Sequence, residues 1–213
     1  MKKLIYTVLL LTVLLICTAF DNKEVTTDKG NRQFNNIDIL EHTLDNYDMS
    51  LDNSQGTIYI GDSRFVGMDT VCNISSTDNN WMIAKVGKGY DFLIGEALPK
   101  VNDIIENNNN IKSWNIIICL GVNDLHNVDK YVDVYNNMKD KMHISLVSVN
   151  PIEYHDLISN SDIEEFNKKL YNIEGIDYID TYTTLLTDGF TTTDGLHYTN
   201  KTYEDIFSLI SNY

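Results

Sequence analysis

The sequence predicts one α/β domain, a parallel sheet of about five strands with helices on both faces, behind an N-terminal segment of a different kind. Three observations carry this. Beyond Gly56, short apolar runs alternate with longer amphipathic ones, and the repeated order strand, helix, strand implies parallel pairing with right-handed crossovers. Those runs occupy residues 56–213 of 213, enough to bury one core but not two. Before them the chain is first basic and then apolar, over residues 1–20, and afterwards rich in Asn, Asp, Thr and Lys, over residues 21–55.

Met1-Lys2-Lys3 followed by the apolar stretch Leu4 to Phe20 has the pattern of an export signal. A cleaved signal peptide and a retained membrane anchor fit it equally, since its length is at the lower limit for a span. Cys17-Thr18-Ala19 offers small residues for cleavage before Phe20, whereas Ile16 before Cys17 is bulky for a lipoprotein signal. Residues 21–55 read as a polar spacer, or as an arm that could pack through Phe34, Ile37, Ile39, Leu40 and Leu44.

Strands are expected at Thr57 to Ile60, Trp81 to Val86, Trp114 to Leu120, His143 to Val149 and Ile176 to Ile179, where β-branched and aromatic residues cluster. Helices are expected near Phe92 to Glu106, Asp129 to Lys141, Ser161 to Tyr171 and Lys201 to Ser211, with a short one around Arg64 to Met68. Ser161 and Glu164 have the spacing of a capping box and would start the third.

The formal charge of −15 argues against nucleic acid or an anionic membrane surface as a partner. Beyond the leader only Cys72 and Cys119 remain, so no disulfide framework is indicated. The histidines at 42, 126, 143, 155 and 197 lack the spacing of a zinc site, and no metal or organic cofactor is expected.

Three strings carry chemistry. Gly61-Asp62-Ser63 follows the first strand, Gly121-Val122-Asn123-Asp124 follows the third, and Asp194-Gly195-Leu196-His197 precedes the last helix. A parallel sheet presents catalytic side chains at the carboxyl ends of its strands. Serine is a poor nucleophile without a base in reach and donors for the oxyanion it creates. Here Ser63 is the candidate nucleophile. His197 is the candidate base, and Asp194, three residues earlier, can hold its near nitrogen. Asn123 is a candidate oxyanion donor, and Gly87 a candidate backbone donor, preferred over Gly89. Each string alone also reads as an ordinary turn.

Jointly these residues resemble the SGNH hydrolases, the GDSL-type esterases. Ser63, Gly87, Asn123 and His197 with Asp194 match the four blocks in order, across nearly all of residues 56–213. The resemblance implies a three-layer α/β/α, flavodoxin-like fold and a Ser-His-Asp triad. It also implies an oxyanion hole from the Ser63 and Gly87 N–H groups and the Asn123 amide. The Gly-x-Ser-x-Gly elbow of α/β-hydrolases is absent. Arg64 departs from the Gly-Asp-Ser-Leu form, and is expected to pair with Asp62 or Asp124 or to bind a substrate carboxylate.

Within the family, Ala84-Lys85-Val86-Gly87 is similar to the extracellular domains of peptidoglycan O-acetyltransferases and to carbohydrate acetylesterases. The expectation is an extracytoplasmic carboxylic ester hydrolase, secreted or anchored at the bacterial surface. It would remove acetyl or other short acyl groups from an acylated carbohydrate or another small ester, meeting the membrane only through its N-terminus. The alternatives are a lysophospholipase-type esterase, an O-acetyltransferase and a non-catalytic glycan-binding module.

Overall fold

Alternation along the apolar runs decides how the domain is layered. In β1 (Gln55–Gly61), Ile58 and Ile60 point to one face and Tyr59 to the other. In β3 (Ser113–Cys119), Ile116 and Ile118 oppose Ile117 and Cys119 in the same way. Both faces of these strands are therefore apolar, and both must be covered. The computed structural model describes residues 55–213. The signal or anchor and the spacer or arm expected before them lie outside the described residues.

With β2 (Asn80–Ala84), β4 (Ile144–Val147) and β5 (Asp177–Ile179), the strands form one all-parallel sheet in the order β2-β1-β3-β4-β5. This is the flavodoxin-like order, whose direction of winding reverses between β1 and β3. One face is covered by α1 (Ser63–Cys72) and by two helices near the C-terminus, α6 (Thr181–Asp188) and α7 (Asn200–Ser211). On the other face lie α2 (Tyr90–Phe92), α3 (Leu98–Asn107), α4 (Val128–Lys139) and α5 (Asn160–Tyr171).

Several elements differ from expectation for identifiable reasons. The helix expected over Phe92 to Glu106 is interrupted by a π-helical turn, Leu93–Ala97, before Pro99. Proline has no N–H and its ring crowds the carbonyl four residues back, so a widened turn lets the helix run on. The capping box of α5 is formed by Ser159 and Asp162 rather than Ser161 and Glu164. Starting two residues earlier makes Asn160 helical and turns its amide onto the Ile152 backbone, while Glu164 accepts from the Tyr182 hydroxyl at 2.9 Å. Helix α6 was not expected, because Thr181-Tyr182-Thr183-Thr184 is poor in helix formers. Burial of Thr181, Tyr182 and Leu185, with Asp180 capping the start, outweighs that propensity.

Strand β4 ends at Val147, short of the expected Val149. Residues 148–152 continue outside the sheet as a buried strip, which matters for the site below.

Candidate active site

Ser63 lies one turn past the end of β1, as the first residue of α1. Asp62 caps this helix by accepting the Arg64 N–H at 2.9 Å. The first N–H groups of a helix have no intrahelical acceptor, so Ser63 stands at a donor-rich, partially positive end. Asp62 is fully buried; burial pushes its carboxyl up, and the Arg64 guanidinium acts in the opposite sense.

The segment Thr191 to Thr199 folds back on itself. Thr193 donates to the His197 carbonyl at 2.7 Å, Thr199 to the Thr191 carbonyl at 3.1 Å, and Thr192 bridges Tyr198. Asp194 sits near its tip. One carboxylate oxygen accepts the N–H groups of Leu196 and His197 at 3.0 and 2.7 Å; the other meets His197 Nδ1 at 2.7 Å. These bonds, led by the His197 backbone N–H, hold the Asp194 carboxyl down at about 2. An ionised carboxylate only accepts, so Nδ1 carries the ring hydrogen. Nε2 is the nitrogen left facing Ser63, 2.8 Å from its Oγ.

Asn123 follows β3 on the opposite side of Ser63 in the strand order. Its amide donates to the Lys88 carbonyl at 2.9 Å, fixing the side chain against the Gly87 to Gly89 turn and leaving a second amide hydrogen. The two candidate glycines differ. Gly87 has φ +69° and open space where a Cβ would project. At Gly89 a Cβ would run into the Asp124 carboxylate.

Sequence reasoning underrated Asp124. Its carboxylate accepts from Tyr90 N at 2.8 Å, Asn127 Nδ2 at 3.1 Å and the Tyr131 hydroxyl at 2.8 Å, joining the start of α2 to the turn Leu125–Asn127 and to α4. The adjacency of Asn and Asp after a strand was its one visible signal.

The structure thus brings Ser63, Asp194 and His197 into one hydrogen-bonded chain, and it ties Asn123 to the Gly87 to Gly89 turn through the Lys88 carbonyl. Arg64 is placed otherwise than expected. It is 3% exposed, and among the described residues it forms no ion pair with Asp62 or Asp124. Instead Nη1 donates to the Asn150 carbonyl at 2.9 Å and the guanidinium lies over the Tyr198 ring.

Cys72 and Cys119 are free thiols, and burial pushes the Cys119 thiol up to about 12. Among the described residues no group of three or more His, Cys, Asp or Glu side chains is arranged to hold a metal, and no helix is long and apolar enough to cross a membrane. A cleft of about 630 Å³ opens beside Asn123 and Leu196, lined further by His126, His155, Glu165 and Lys169.

Solved structures share this architecture. A GDSL-like lipase from Bacteroides thetaiotaomicron is similar at TM-score 0.55 and 16% identity, over 75% of this chain and 87% of that one. The chain has the SGNH-hydrolase fold. A member of the lipolytic G-D-S-L family from Veillonella parvula matches that fold at TM-score 0.54 and 17% identity, over 74% of this chain and 97% of the other. The C-terminal catalytic domain of Streptococcus pneumoniae peptidoglycan O-acetyltransferase A matches at 0.50 and 20%, over 75% and 94%. No protein-family model and no curated protein matches the chain.

Proposed function

We propose that this SGNH-fold protein is an exported serine esterase that removes acetyl or another short acyl group from a polysaccharide or cell-envelope glycan. The observation that carries the reading is the hydrogen-bonded chain from Ser63 Oγ through the His197 imidazole to Asp194. Ser63 Oγ attacks the ester carbonyl carbon while His197 Nε2 takes its proton. The negative charge that develops on the carbonyl oxygen is met by the Ser63 and Gly87 N–H groups and the Asn123 amide. As the tetrahedral adduct collapses, the imidazolium returns the proton to the departing alcohol, leaving an acyl-serine. Water, deprotonated by the same nitrogen, then releases the acid.

The glycan side of the proposal is supported by the polar side chains His126, His155, Glu165 and Lys169, which stand among apolar ones in the cleft beside Asn123 and offer hydrogen-bond partners to a hydroxyl-rich group. The likeness to a peptidoglycan O-acetyltransferase domain agrees with it, as does the export-like N-terminus.

Hydrolysis of p-nitrophenyl acetate, butyrate and octanoate by the full chain tests it, with wild type beside Ser63→Ala. The expected result is turnover that falls with acyl length and drops on the order of 10⁴- to 10⁶-fold in the variant. Asn123→Ala should cost about 10²- to 10³-fold in kcat. Octanoate cleaved as fast as acetate would move the reading to a lipolytic enzyme. Glycan binding with no ester cleavage would make the protein a binding module.

A further inference from the structure

The two reacting side chains, 134 residues apart in sequence, sit 2.8 Å from each other on separate elements. What fixes that spacing is visible one residue downstream of each. Arg64, next to Ser63, donates from Nη1 to the Asn150 carbonyl at 2.9 Å. Tyr198, next to His197, donates from its hydroxyl to the adjacent carbonyl, Pro151, at 2.6 Å. The guanidinium carbon lies 5.3 Å from the Tyr198 ring centre, within cation–π range.

The strip they grip is itself immobilised. The Asn167 side chain donates to the Val149 carbonyl at 2.9 Å and accepts the Val149 N–H at 2.8 Å, as a neighbouring strand would. Asn160 does the same for Ile152 at 2.8 and 2.9 Å. Ser148 is held through Thr181 and the Tyr182 N–H. Past the strip, the N–H groups of Glu153 and Tyr154 both donate to the Gly195 carbonyl, so the same segment also grips the tip of the His197 loop.

Arg64 is a costly way to fill this space. Its Nε and Nη2 are buried without a hydrogen-bond partner, and an apolar side chain of similar size would avoid that desolvation. Plain core packing does not explain it.

We propose that Arg64 and Tyr198 are a pair of positioning residues that set the Ser63 to His197 distance by clamping both to one rigid strip, residues 148–152. The inference rests on the serine-hydrolase reading above, but its geometry can be tested apart from turnover.

The experiment uses the full chain as wild type, Arg64→Met, Arg64→Lys, Tyr198→Phe and the double variant Arg64→Met/Tyr198→Phe, with thermal melting to establish folding. The rate at which a small organophosphate labels Ser63 is measured together with kcat and KM on p-nitrophenyl acetate. Each of Arg64→Met and Tyr198→Phe should slow labelling and lower kcat by about ten- to one-hundred-fold, with KM changed less than about two-fold. The double variant should be little worse than the weaker single, because both act through the same strip, and Arg64→Lys should recover part of the loss. Wild-type labelling by the folded variants, or losses that multiply independently, would overturn the clamp. If Arg64→Met does not fold, Tyr198→Phe decides, since it keeps the ring and removes only the hydroxyl. If wild type is not labelled at all, the hydrolase reading fails and the clamp is judged by NMR of the His197 imidazole. A shift on Ser63→Ala that disappears in the Tyr198→Phe background supports it, and an equal shift in both backgrounds overturns it.

Discussion

The loop Thr191 to Thr199 and the strip of residues 148–152 both bear on the candidate triad, yet they are held by different means. Around Asp194 and His197 the loop is exposed and held mainly by local bonds. Asp194 and His197, with side chains 54% and 35% exposed, are tied to each other and to neighbours within a few residues. The strip is buried and non-local: side chains of Asn167 and Asn160 satisfy the backbone groups of Val149 and Ile152, and the Ser148 hydroxyl is bonded to Thr181 and to the Tyr182 N–H of α6. The difference teaches that chemistry can be encoded in a short string while its alignment is encoded elsewhere. A fault in the loop should therefore cost activity with the fold intact, and a fault in the strip should cost stability first.

The largest expected effect lies in the loop. Asp194→Asn lets Nδ1 lose its charged acceptor and permits the wrong imidazole tautomer, so kcat should drop on the order of 10⁴-fold. The melting temperature should stay within about 2 °C, because the side chain is exposed. A large loss of stability would erase the contrast between the two regions.

In the strip, Asn167→Leu leaves the buried Val149 N–H and carbonyl without partners, for a loss of roughly 2–5 kcal/mol. In a domain of this size that is a fall of about 5–15 °C in the melting temperature, readable by calorimetry. An unchanged melting point would mean that the strip does not depend on its side-chain partners.

The boundary between the regions is tested by Gly195→Ala. Gly195 has φ +89°, and a Cβ there would run into the Tyr154 carbonyl oxygen. The substitution should cost about 1–3 kcal/mol, through strain and through separating loop from strip, and should lower kcat along with stability.

The smallest effect concerns acid. The Asp194 carboxyl is lowered in the folded protein from 3.8 to about 2, so its contribution is fully present above 3.8 and fades as pH falls toward 2. The NMR signals of the Leu196 and His197 N–H groups should hold steady from about pH 5 down to about pH 4 and move only as the pH approaches 2. A transition in those signals centred near pH 4 would show that the carboxylate is not held as described.

Much of this was readable beforehand, because the signals are local. The five strands announce themselves by apolar runs, and the candidate triad by three strings at strand ends or before a helix. Ser159 and Ser161 each have an acid three residues on, and sequence could not choose between them. The choice depends on Asn160 meeting Ile152, a contact made only in the folded chain. Arg64, a cation directly after the candidate nucleophile, suggests an ion pair with a carboxylate near the site, Asp62 or Asp124, or a contact with a substrate carboxylate. Its actual partners, Asn150 and Tyr198, are 86 and 134 residues away.

The sequence by itself determined the alternation of strand and helix, the apolar faces that demanded two covering layers, and the identity of the chemical groups at the site. Those properties follow from side-chain period and from residue chemistry, which need no knowledge of distant contacts. Only the tertiary structure decided which backbone carbonyls hold Arg64 and Tyr198, where α5 begins, and that Thr181–Asp188 is helical. In each of those cases a polar group had to find its partner outside its own element, 8 residues away for Asn160 and 33 to 86 for the others, and packing of the folded chain made the choice.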